Sequence, residues 1–234
     1  MMKTLNILSG GAAQGLVGQL RDVFAASHGA TIEGSFGAVG MMKDKLLSGA
    51  PCDVVILTAA LIQELESQGH VVAGSAAPLG VVRTGVAVKA GQPMPPIDSP
   101  AALKALLRKA SGIYFPDPVK ATAGIHFMKV LQTLGLDQEL ADRLRPYPNG
   151  ATAMREMAQA SGDDLVGSTQ VTEILYTPGV TLVGVLPKEF ELATVYTAAV
   201  CSRAADPAAA AALIALLTAD ASAALRDSGG FEVR

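Results

Sequence analysis

The chain has 234 residues, 50% of them hydrophobic and 17% charged, with 18 Lys plus Arg against 21 Asp plus Glu and a net charge of −3. That balance excludes a disordered chain, which needs low hydrophobicity and high net charge. It also argues against nucleic acid as a partner: there is no surplus of basic residues, and no Trp, 4 Tyr and 6 Phe make a poor stacking platform. Two cysteines are too few for a disulfide scaffold or a zinc site on their own.

At the amino end only Leu5-Asn6-Ile7-Leu8 separates Lys3 and Thr4 from Ser9-Gly10-Gly11. That apolar run is shorter than the core of a secretory signal. The longest apolar run, Pro207 to Leu217, is rich in alanine and falls short of a membrane span. The expectation is a cytoplasmic protein with no membrane span, or a periplasmic one if a signal has been cut away.

In chain order, short β-rich runs alternate with helical periods. Leu5–Ser9 predicts a strand, and Leu16, Leu20, Val23 and Phe24 recur on one helical face. A strand at Thr31–Gly34 and a helix at Gly40–Leu47 follow. Asp53–Leu57 reads as a strand buried on both faces, and Leu61, Ile62 and Leu65 mark a helix stopping at Gly69. Gly80–Lys89 is a longer strand interrupted by Arg83-Thr84. Ser99-Pro100 starts a helix, with Ser as cap and Pro at the first helical position. A strand at Gly112–Phe115 precedes a helix carrying Phe127, Val130, Leu131 and Leu134. Asn149 caps a helix to about Ala160. Strands are expected at Leu165–Ser168, Thr181–Val185 and Thr194–Val200, and alanine-rich helices close the chain. The order argues for an α/β protein with mostly parallel sheets flanked by helices. The long strands near 80–89 and 190–200 are natural crossings between two lobes, 1–81 plus 199–234 and 82–198. A ligand is then expected between the lobes at the carboxyl ends of the strands.

Five small-residue segments are placed to bind an anion through backbone amides at a helix start. They are Ser9-Gly10-Gly11-Ala12, Gly37-Ala38-Val39-Gly40, the stretch Asp117 to Gly124 with Lys120 and Thr122, Asn149-Gly150-Ala151-Thr152, and Gly167-Ser168-Thr169-Gln170. Gly10-x-Ala12-x-x-Gly15 with Glu33 is also a degenerate dinucleotide fingerprint, but alanine stands where the backbone would meet pyrophosphate. His28, His70 and His126 lack metal-ligand spacing, so neither a metal nor another cofactor is expected. Cys52 and Cys201 read as inert buried thiols. Arg83, inside an apolar strand, is either an ion-pair partner or a carboxylate clamp. Lys120, Ser168 and Thr169 are the candidates for catalysis, with Ser9, Glu173 and Asp117 as other polar groups on the loops.

Several marks occur together along nearly the whole chain. They are the strand and turn at Ile7–Ala12, Phe36-Gly37-Ala38-Val39-Gly40, Gly49-Ala50-Pro51-Cys52-Asp53-Val54-Val55-Ile56, Asp117-Pro118, Ala123-Gly124-Ile125, Asp164–Gly167 and Gly230-Phe231. In these the chain resembles the molybdate-type periplasmic substrate-binding proteins of ABC transporters, a family that includes aconitate-isomerase-like members. The resemblance implies a two-lobed type II periplasmic-binding-protein fold with a hinge. In that family, hydroxyls at the first two turns and a late-strand tyrosine help to hold a tetrahedral oxyanion. The matching positions here are about Gly11, about Ala38 or Val39, and near Gly167 or Ser168. Each lost partner leaves an oxyanion oxygen unpaired, at about 1–3 kcal/mol. The ligand expected is therefore a small carboxylate, held by Ser9, Gly10, Gly11, Ala38, Val39, Arg83, Thr122, Asn149, Ser168 and Thr169. The activity implied is movement of a proton and a double bond in an unsaturated acid. The alternatives are a solute-binding component, which takes an ABC permease as partner only if the chain is exported, and an intracellular ligand sensor.

Overall fold

The structure, a computed structural model, describes residues 3–232. β1 (Lys3–Gly10) passes through a single 3-10 turn into α1 (Gln14–His28), which ends at Gly29 in the left-handed region, φ 62°. β2 (Ala30–Gly37), α2 (Val39–Leu47), β3 (Val54–Thr58) and α3 (Ala59–Ser67) follow. β4 (Ala77–Lys89) leads to α4 (Pro100–Lys109), where the Ser99 side chain accepts from the Ala102 amide as expected. Then come β5 (Gly112–Pro116), α5 (Thr122–Leu134), β6 (Leu144–Tyr147) and α6 (Gly150–Gln159). Asn149 caps α6 by accepting from Thr152 at 2.8 Å. β7 (Leu165–Gln170), α7 (Val171–Leu175), β8 (Val180–Val185), β9 (Ala193–Val200), α8 (Pro207–Thr218) and α9 (Ala223–Ser228) complete the order.

β6 and α7 have no counterpart in the sequence reading. β6 has four residues, includes Pro146 and is half-exposed, so it shows no alternation. The five residues of α7 are too few to show a helical period. β7 continues to Gln170, so Gly167-Ser168-Thr169-Gln170 lies within the strand rather than after it.

The chain divides into two compact α/β units, the described residues of Met1–Val82 with Thr194–Arg234, and Arg83–Ala193. In the first, the strand order β2-β1-β3-β9 is parallel except for β9, which runs antiparallel to β3. Leu5, Ile7, Ile56 and Leu57 pack with Phe24, Leu65, Leu213 and Phe231 in one core. The buried Asp53 organises the loop beneath it. One carboxylate oxygen accepts from the Asn6 amide at 2.7 Å and the other from the Ala205 amide at 2.7 Å.

In the second unit β7, β5 and β6 are parallel neighbours, and β4 is antiparallel to β7 on one side and to β8 on the other. Alternate residues feed separate cores, as the two-residue period of a strand requires. Val86, Ile113, Phe115 and Val166 join Phe127, Leu131 and Leu103, while Ala87, Tyr114 and Leu165 join Met154 and Met157. The sheets are thus mixed: a parallel centre with antiparallel strands where the chain enters or leaves a unit. No single helix among the described residues is long and apolar enough to cross a membrane.

Candidate functional site

The first unit brings its two small-residue turns together. A Cβ placed on Gly10 would stand 2.8 Å from Val39 Cγ1 and 3.0 Å from Tyr196 Cε1. Glycine is therefore needed at the end of β1 for β9 and the start of α2 to approach it. The Ser9 hydroxyl is buried and donates to the Gly10 carbonyl at 2.8 Å. Ala38 stands at the cap position of α2 in an extended conformation and offers no side-chain acceptor, and neither does Ala13 at the start of α1. Gly10, Gly11, Ala38 and Val39 thus present main chain rather than hydroxyls. Tyr196, buried beside them, was missed in the sequence because it reads as one apolar residue of a strand.

In the second unit, Asp117 Oδ1 accepts from the Val119 and Lys120 amides at 2.7 and 2.8 Å, shaping the turn after β5. A Cβ on Gly124 would lie 2.2 Å from the Pro116 carbonyl oxygen, so the first turn of α5 sits directly against that turn. The cap position of α5 is Ala121, again without a side-chain acceptor. Thr122 opens the helix half-buried, and Lys120 is exposed. By contrast Thr58, Ser99, Asn149 and Asp206 cap α3, α4, α6 and α8 with their side chains. Among the longer helices, the ones that lack such a cap are α1, α2 and α5, which open at three of the predicted turns.

The start of α6 is different. The Glu173 carboxylate is wholly buried and takes hydrogen bonds from the Thr169 hydroxyl, at 2.5 Å, and from the amides of Ala151, Gln170 and Gly150. The protein's own carboxyl group therefore fills the amide cradle that the sequence assigns to a ligand. Asn149 and Thr169 are both engaged there. Ser168 is buried and donates to the Gly85 carbonyl at 3.0 Å. Arg83 pairs with Glu191 at 2.5 Å. Thr84 and Thr172 carry buried hydroxyl oxygens with no hydrogen-bond partner among the described residues. His126 contacts the Phe190 carbonyl oxygen at 2.7 Å. Among the described residues no group of three or more His, Cys, Asp or Glu is placed to hold a metal ion.

Burial pushes the Glu173 carboxyl above the ordinary carboxylate range, and the Thr169 hydroxyl and the three amides pull it partly back. A raised folded-state pKa means that folding favours the protonated form. The resulting stabilisation is complete below the ordinary pKa of about 4.3 and is lost as pH rises through the raised value. The stability of the wild type relative to Glu173→Gln, followed by urea unfolding across that window, is expected to decline with rising pH. A flat difference would mean that the group titrates normally.

The family model for bacterial extracellular solute-binding proteins matches residues 5–232. The chain belongs to this family. Among curated proteins, aconitate isomerase from Pseudomonas sp is 30% identical over 239 residues, covering 97% of this chain and 87% of that protein. Among solved structures, the periplasmic molybdate-binding protein of Azotobacter vinelandii superposes with a TM-score of 0.82 at 20% identity, over 98% of this chain and 99% of that one. The sulfate-binding protein SubI of Mycobacterium tuberculosis gives 0.73 at 20% identity, over 98% and 86%. The fold is periplasmic-binding-protein-like, two α/β units with helices flanking mixed sheets.

Proposed function

We propose that this protein is an isomerase that moves a proton and a double bond in a small unsaturated carboxylate. The observation that carries the reading is the 30% identity to aconitate isomerase across 97% of the chain. The geometry agrees in kind. The turns at Gly10–Gly11, Ala38–Val39 and Ala121–Thr122 offer main-chain amides at helix starts without side-chain caps, and such amides suit carboxylate oxygens. Arg83 adds a planar bidentate donor. The reaction needs a base that removes a proton next to one carbon of the alkene and a donor that returns it at the other end. Lys120, on an exposed turn next to α5, is proposed to handle that proton at the ligand. Thr169, hydrogen-bonded to Glu173, whose carboxyl burial holds above the ordinary range, is proposed to take part in the same proton transfer, with Ser168 holding β7 to β4. The reading places the protein in the cytoplasm, which cell fractionation tests.

The second reading is a solute-binding component working with an ABC permease, and the match to the extracellular solute-binding family favours it. Incubating the full chain with cis- and trans-aconitate in deuterated water, followed by NMR, separates the two. The isomerase incorporates deuterium at the allylic carbon and interconverts the isomers. An acid that binds without any exchange rejects the enzyme reading, and tight calorimetric binding of molybdate or tungstate supports the transporter reading. In the same titration Arg83→Ala is expected to weaken carboxylate binding by about 2–5 kcal/mol. Unchanged affinity with lowered stability would leave Arg83 a structural role, its ion pair with Glu191 included.

A further inference from the structure

We propose that Cys52 and Cys201 are an oxidisable pair that closes into an internal disulfide with a disulfide oxidant such as oxidised glutathione. The two residues are 149 positions apart, yet Cys201 Sγ lies 3.2 Å from Cys52 Sγ, both within the first unit. The backbone explains the meeting. β9 runs antiparallel to β3 with Val200 opposite Val54, and the Cys201 amide donates to the Asp53 carbonyl at 2.9 Å, one residue past that register. Cys52 therefore sits diagonally beside Cys201 at the end of the ladder. The thiols already form a directed chain: Cys201 donates to Cys52 Sγ, and Cys52 donates to the Val54 carbonyl at 3.2 Å.

Both cysteines are buried, at 7% and 2% exposure, but they are among the residues lining a cavity of about 400 Å³, with Pro51, His70, Ser202 and Arg203. That cavity gives a small oxidant a path to the sulfurs. The hydrogen bond to Cys52, then burial and the Asp53 charge, hold the Cys201 thiol above its ordinary range, so this sulfur is slow to react without an oxidant. In the reaction, Cys52 attacks one sulfur of the oxidant and expels a thiol. The Cys201 sulfur then attacks Cys52 and expels the second. One S–S bond is formed and one is broken, and the two cysteine protons end on the two departing thiolates. The bond would tie β3 to β9, the strand that carries Tyr196, and would close a loop containing the whole second unit. In a reducing compartment the pair remains two thiols, and in an oxidising one it becomes a staple.

The test equilibrates the full chain with glutathione buffers of increasing oxidised fraction, once as the native protein and once during refolding from denaturant. Denatured thiols are then counted and the linked peptides are mapped. The expected result is a fall from two free thiols to none, a Cys52–Cys201 peptide, and a rise in Tm of about 10 °C that dithiothreitol reverses. Cys52→Ala and Cys201→Ala should each abolish the redox-dependent shift in Tm. The proposal is overturned if both thiols persist in the refolding arm, if the link forms only between molecules, or if oxidation lowers Tm.

Discussion

Gly150→Ala is expected to destabilise the protein by about 3 kcal/mol, the upper end of what one added methyl group costs in a packed interior. A Cβ at this position would stand 1.9 Å from Thr169 Oγ1 and 2.0 Å from Glu173 Oε2. Neither atom can yield cheaply. The Glu173 carboxylate is fixed by three backbone amides as well as the Thr169 hydroxyl, and moving it strips acceptors from the first turn of α6. Urea unfolding of the variant should show the loss as a lower midpoint with an unchanged slope. Gly18→Ala is the control: it lies in the middle of α1, exposed, with nothing within 4 Å of the added carbon. There alanine should stabilise by about 1 kcal/mol through helix propensity. A loss below about 1 kcal/mol for Gly150→Ala would mean that Glu173 does not fill the start of α6.

Asp53→Ala should cost about as much, roughly 3 kcal/mol, for a different reason. The carboxylate bridges the Asn6 amide within β1 and the Ala205 amide in the loop before α8. Removing it leaves two donors at partly buried positions without their acceptor, at about 1–3 kcal/mol each where water does not replace it. Asp53→Asn keeps one accepting oxygen but turns an NH2 group toward the other donor, so its cost should lie between wild type and alanine. Thermal unfolding of the three proteins at neutral pH measures the order. Equal stability of the wild type and the alanine variant would show that the two loops hold without the bridge.

The division of labour among the helix starts bears on function. At α3, α4, α6 and α8 a Thr, Ser, Asn or Asp side chain accepts from an amide of the first turn, and α6 does so at one of the predicted turns. At α1, α2 and α5 the cap position is alanine. Alanine at a cap usually costs about 1 kcal/mol relative to these residues. The proposed function assigns a role to these helix starts, which lack a side-chain cap.

Much of this arrangement is legible in the sequence because it is local. Helical and strand periods, the Ser99 and Asn149 caps, and the small-residue turns at Gly10–Gly11 and Ala38–Val39 each depend on a few neighbouring residues. The four-residue β6 and five-residue α7 escaped because they are too short to show a period. What only the tertiary structure decided are the contacts that packing creates between distant residues: Tyr196 against Gly10, Cys201 against Cys52, and Arg83 with Glu191. The most consequential is Glu173. Its sequence neighbourhood gives no hint of burial, yet folding α7 back against α6 carries its carboxylate onto the amides of Gly150 and Ala151. Composition and spacing show that an amide cradle exists at a helix start. Which group occupies it depends on which side chain the packed fold delivers there, and that is set by contacts between elements rather than by adjacent residues.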